Sequence, residues 1–185
     1  ETAIREGIII EPKLLADRLS IFIKENKILT KEVIALINPP YVFTRIICLP
    51  YNLSDEQIHL NLEAEPQSYR LFMGKDNIID FKKLEEISEA GIKKINVLFA
   101  ATFRAISESY IKTMGLANLD LIGIDIPVFS ILRCLDEVDL FSSSLEVTLL
   151  ILAGKKYLEM CILKGNRPRF FHSIEIDMYD FDRDR

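Results

Sequence analysis

Three apolar stretches follow one another near the end of the chain, "LEVTLLIL", "KYLEMCIL" and "RFFHSIEI", joined only by "AGKK" and by the Gly165-Asn166 region. Connections this short reverse the chain between neighbouring strands and leave no room for a crossover helix, so the segment reads as an antiparallel meander. Upstream the texture is different. Strand-like and helix-like patterns alternate, which is the signature of α/β architecture, and the serine run "FSSS" at 141–144 marks the change to a new subdomain opening near residue 145.

Pro12 fits the first turn of a helix whose apolar face carries Leu15, Leu19, Phe22 and Ile23, to about residue 26. "KEVIALI" (31–37) and "YVFTRIICLP" (41–50) read as strands separated by Pro39-Pro40. Ser54 and Gln57 form a capping box, with Ile58 and Leu62 on one face of the helix that follows and Pro66 beyond its end. From Gln67 to Gly91 the pattern is weak: "NIIDF" reads as a short strand and "KKLEEISEAG" as an exposed polar turn or helix. "KINVLFAAT" is a buried strand. Ile106, Tyr110, Thr113 and Met114 then mark a helix closed by a left-handed Gly115. "LDLIGIDI" gives another strand, and Val128, Ile131, Leu132 and Leu135 another helix.

The net charge of −5, with basic residues scattered among acids, argues against a nucleic-acid partner. No run approaches the roughly 20 apolar residues that span a bilayer, so a soluble or peripheral protein is expected. Cys48, Cys134 and Cys161 sit apart beside apolar neighbours, with no CxxC pair, and read as small buried hydrophobes in a reducing cytoplasm. No secretory signal opens the chain. Its start without Met and its charged "DRDR" end read as those of a processed chain or a piece of a longer one, and motifs missing here then lie in the remainder.

Several segments, in order, resemble the PilM family of type IV pilus assembly proteins, within the wider group that includes the cell-division protein FtsA. "EGIIIEPKLLADRL" at the start is similar to the family's glycine-isoleucine strand and leucine-spaced helix. "RIICLPYNLSDEQIHLNLEAE" (45–65) is similar to its Arg, Leu-Pro and acidic helix. "VLFAATFRAISESYIKTMGLANLDLIGIDIPVFSILR" (97–133) is similar to its strand, helix, Gly-Leu, strand ending in Asp, and helix closing in Leu-Arg. The resemblance implies an actin-like (ribonuclease H-like) fold of mixed α/β class with a ferredoxin-like, FtsA-type inserted subdomain. Residues 1–38 and 119–140 would belong to the first lobe, 39–118 to the insertion, and 145–185 to the opening hairpins of the second lobe.

In actin-like ATPases the hairpin after the linker carries an acid, a glycine and then a hydroxyl, which together hold a metal ion and a phosphate. Aligned on "VTLLILAGKKY", the acid falls on Ile151 and the glycine on Ala153; Gly154 is one position late, and Lys155 and Lys156 bring charge without a group that activates water. As a Walker loop the stretch also fails, lacking the earlier Gly, the Ser or Thr after Lys and the following helix. A plain β-turn is therefore expected. A second departure follows "HSIEI", where Asp177 and Met178 replace the family's glycine pair. His59 and His172 lack co-ligands at zinc spacing, the acids of "DMYDFDRDR" lack a calcium loop's glycine and final Glu, and Ser142 to Ser144 lack a partner base.

Two readings follow. The first is a non-catalytic scaffold at the cytoplasmic face of the inner membrane that binds the cytoplasmic tail of a PilN-like membrane protein. Other pilus platform proteins, an assembly ATPase and further copies of the chain are additional partners under it. Arg45, Leu49, Pro50, Glu63 and Glu65 match family positions and are its candidate partner-binding residues, with fold maintenance as the competing role. The second is an actin-like ATPase, or a relative of FtsA or of a type II secretion platform protein, whose ATP and Mg sites lie outside this chain. No cofactor or metal is expected within the chain itself.

Overall fold

The computed structural model describes residues 2–5, 7–64, 76–137 and 146–176. A minimal antiparallel pair, β1 (Ile4–Arg5) and β2 (Ile8–Ile9), precedes α1 (Pro12–Glu25), which has Pro12 in its first turn as its fixed φ favours. The helix ends where Lys27 takes φ +54°: its N–H reaches the Lys24 carbonyl, and the Ile28 N–H reaches that of Ile23 at 3.0 Å. β3 (Glu32–Leu36) then pairs in parallel with the much later β7 (Asp120–Asp125).

Between those two strands the chain builds an antiparallel sheet in the order β4-β6-β5, from β4 (Val42–Pro50), β5 (Asn77–Glu89) and β6 (Ile92–Phe103). The short strand expected at 77–81 is found, and the exposed turn or helix expected over 82–91 is corrected. They form one 13-residue strand that turns into β6 through Ala90 and Gly91, both at positive φ. α2 (Asp55–Ala64) covers one face of this sheet. Its capping box is made in both directions: Ser54 Oγ accepts from the Gln57 N–H at 3.2 Å, and Gln57 Oε1 accepts from the Ser54 N–H at 2.9 Å. Ile58 and Leu62, one turn apart, are fully buried against Ile95, Val97 and Phe99.

α3 (Arg104–Leu116) returns to the first layer and packs against α1, where Ala16, Ala117 and Leu119 form a core with Leu19, Ile23, Val33 and Met114. Gly115 does not cap it as expected. The left-handed residue is Asn118, at φ +56°, and the Asn118 and Leu119 N–H groups donate to the Gly115 and Met114 carbonyls. Asn tolerates this conformation because its short polar side chain bonds locally, so the helix extends through Gly115.

α4 (Pro127–Glu137) follows β7 and leads to the meander of β8 (Val147–Ala153), β9 (Tyr157–Lys164) and β10 (Arg167–Glu175), antiparallel throughout in the order β10-β9-β8. A third core of Ile126, Val128, Cys161 and Leu163 joins α4 to the meander and to Val42 and Ala100 of the second sheet, with Phe129 and Phe171 edge to face at 4.7 Å. Among the described residues no helix is long and apolar enough to cross a membrane.

Candidate functional site

The turn between β8 and β9 is a closed hairpin end. The Gly154 N–H donates to the Tyr157 carbonyl at 2.9 Å, and Ala153 and Leu158 are the last pair of the ladder. The N–H that a phosphate would need is therefore engaged, and no carboxylate or hydroxyl stands at Ile151 or Ala153. Lys155 and Lys156 are exposed. These residues do not fit a phosphate with its metal ion.

Among the described residues no group of three His, Cys, Asp or Glu side chains converges for a metal. His59 pairs with Glu63 at 3.4 Å along α2, and His172 lies beside Phe170. The expectation of three buried thiols is corrected: Cys48 and Cys134 are exposed and only Cys161 is buried. Burial pushes the Cys161 thiol up to about 12, because a thiolate there would sit among Ile126, Val128 and Leu163. Ser142 to Ser144, Asp177 and Met178 lie outside the described residues.

The prominent concavity is a cleft of about 610 Å³ on the face of the β4-β6-β5 sheet that α2 leaves free. Antiparallel pairing explains which residues reach it. Ile78, Asp80 and Lys82 of β5 stand opposite Thr102, Ala100 and Leu98 of β6, and all six line the cleft. Their neighbours Val97 and Phe99 turn to α2 instead. The facing wall comes from Ile111 on α3, Ile124 and Asp125 on β7, and Phe129, Leu132 and Arg133 on α4. The lining is mixed, with Ile78, Leu98, Ile111 and Phe129 beside Asp80, Lys82 and Asp125. Ser130 donates to the carboxylate of the lining residue Asp125 at 2.5 Å, and Arg133 pairs with the same carboxylate. Asn166 and Pro168, from the β9–β10 hairpin, close one end.

A family model for "Type IV pilus assembly protein PilM" matches residues 1–167. The chain belongs to the PilM family. Among solved structures, the chain is similar to one titled "PilM-PilN type IV pilus biogenesis complex", with a TM-score of 0.81 at 21% identity over 97% of this chain and 53% of that one. A second, a Bacteroides thetaiotaomicron protein with an actin-like ATPase fold and unknown function, gives a TM-score of 0.49 at 9% identity over 90% and 57% of the two chains. The chain thus spans about half the length of the structures it matches. No curated protein matches it in sequence. The mixed α/β class expected from the sequence is the class found, and the fold is that of the PilM structure.

In this PilM family member the sequence-matched Arg45 and Leu49 lie on the face of the sheet opposite the cleft. Arg45 stands opposite Phe99 and Leu49 opposite Ile95, on the α2 side, where Leu49 packs into the core and Arg45 is exposed. Pro50 ends β4 and Glu63 lies on the outer surface of α2. None of the four lines the cleft. Glu65 lies outside the described residues. The lining residues of β5 went unrecognised because "KKLEEISEAG" has helix-forming composition. The available signal was "NIIDFK", whose alternation continues through Lys82.

Proposed function

We propose that this protein is a non-catalytic adaptor of a type IV pilus inner-membrane platform. It acts at the cytoplasmic face and binds the cytoplasmic tail of a PilN-like membrane protein in the cleft between β5–β6 and β7–α4. The observation that carries this reading is the cleft, about 610 Å³ of mixed apolar and polar lining that runs along β5 from Ile78 to Leu84, as a site for an extended segment would. Family membership and the likeness to the PilM of a PilM-PilN complex support it. ATP with Mg finds no fitting residues in the β8–β9 hairpin, so no step is assigned to it here.

The test is calorimetric titration of the full-length protein with the N-terminal cytoplasmic peptide of its PilN-like partner. Saturable binding in roughly the micromolar range is expected for a short segment ordered on binding. Absence of heat with every such peptide overturns the reading.

A further inference from the structure

We infer that the β9–β10 turn clamps the two walls of the cleft together, with Glu85 as the positioning residue that sets it; this rests on the reading that a partner segment occupies the cleft. The pairing of β5 with β6 slips between Lys83 and Glu86, where Val97 and Ile95 are the respective partners. Leu84 and Glu85 therefore share the single position opposite Asn96, and this bulge turns both toward the cleft side of the sheet. Leu84 lines the cleft. Glu85 receives Asn96 Nδ2 at 2.9 Å and the Arg169 guanidinium on Oε1, while Arg167 Nη1 stands 3.6 Å from Oε2.

The Glu85 side chain is only 9% exposed, and Oε2 accepts no hydrogen bond from the described residues. A carboxylate so far from water is tolerable only while its cations stay in place. Both cations belong to β10, on either side of Pro168. On the opposite wall, Asn166 Nδ2 donates to Asp136 Oδ1 of α4 at 3.3 Å. The run from Asn166 to Arg169 is therefore anchored to α4 through Asp136 and to β5 through Glu85, with Asn166 and Pro168 lining the cleft between the anchors.

Cleft width and hairpin position are thus a single variable. A segment that binds only at one spacing of the walls must also bias the hairpin, and by linkage a change at the hairpin alters affinity in the cleft to the same degree.

Hydrogen exchange of the β9–β10 amides and peptide calorimetry on the full-length protein test this together. Glu85→Gln keeps the size of the side chain and its contact with Asn96, and Arg169→Met keeps the packing stem. Each is expected to speed exchange around residues 166–171 and to weaken the PilN-like peptide, both by about tenfold. The swap Glu85→Arg with Arg169→Glu restores the pair but sets the new guanidinium beside Arg167, and is expected to recover only part of both losses. Exchange at the wild-type rate in Glu85→Gln overturns the clamp, as does faster exchange with unchanged peptide affinity. A wild type that takes no peptide overturns the adaptor reading and the coupling with it, while the exchange rates alone still decide whether Glu85 holds the turn.

Discussion

The Gly154 N–H and the Tyr157 carbonyl meet at 2.9 Å and close the β8–β9 turn, where an actin-like ATPase presents free N–H groups to phosphate. With that donor engaged and the lysines solvated, neither cation is held against an anion site. The double variant Lys155→Ala, Lys156→Ala in the full-length protein is expected to leave ATP affinity unchanged by calorimetry and stability within about 0.5 kcal/mol. A tenfold loss of ATP affinity would restore the phosphate-binding role.

Thiol chemistry checks the third core. A thiol pushed to about 12 is almost entirely protonated at pH 8, and it is also covered by the meander. Iodoacetamide followed by peptide mapping is expected to label Cys48 and Cys134 in the native protein and Cys161 only after unfolding. Equal labelling of all three would mean that β9 does not pack against α4.

Glu159 gives a pH dependence with a definite sign. It sits on the buried face of the meander between Leu152 and Ser173, and burial raises its carboxyl above the ordinary 4.5. The folded state therefore holds the proton more tightly than the unfolded state. The stabilisation is fully present below the ordinary value and is lost as pH rises through the folded-state value. Glu159→Gln, which mimics the protonated acid, is expected to gain about 1 kcal/mol at pH 7, with the gain shrinking toward pH 4. His172 lines the same narrow hollow. Loss of stability at pH 7 would contradict the assignment.

Leu62 is fully buried between α2 and the central β6. Leu62→Ala removes its contacts with that core and is expected to cost about 3 kcal/mol in denaturant unfolding. A cost under about 1 kcal/mol would mean that α2 does not seat on the sheet.

Legibility in the sequence followed the physics of each segment. α1, α2 and the meander were readable because a proline at the start, a reciprocal Ser54–Gln57 cap and hairpin-length connections act locally. β5 was not. Its charged residues have helix-forming composition, and the bulge at Leu84–Glu85 breaks the period-two pattern that would have revealed it. The cleft was hidden for the same reason, because one wall is that strand and the other comes from α3, β7 and α4, which are distant in sequence. Gly115 misled because a glycine one residue inside a helix end looks like a cap, while the actual turn uses Asn118.

The two faces of the β4-β6-β5 sheet make opposite predictions for partner binding. Ile111 lines the cleft from α3 yet is 56% exposed, so Ile111→Asp places a charge on an apolar stretch of the cleft wall at little cost to folding. Arg45, matched to the family by sequence, faces the α2 side and contributes nothing to the cleft lining. Ile111→Asp is expected to weaken the PilN-like peptide at least about tenfold with an unchanged melting temperature, since it strands a carboxylate against bound apolar side chains. Arg45→Ala is expected to leave the affinity within about twofold, as a surface substitution remote from the contact does. Calorimetry on the two variants separates the faces directly. The reverse pattern, with Arg45 sensitive and Ile111 indifferent, would move the partner to the α2 face and return the site to the residues that the sequence matched.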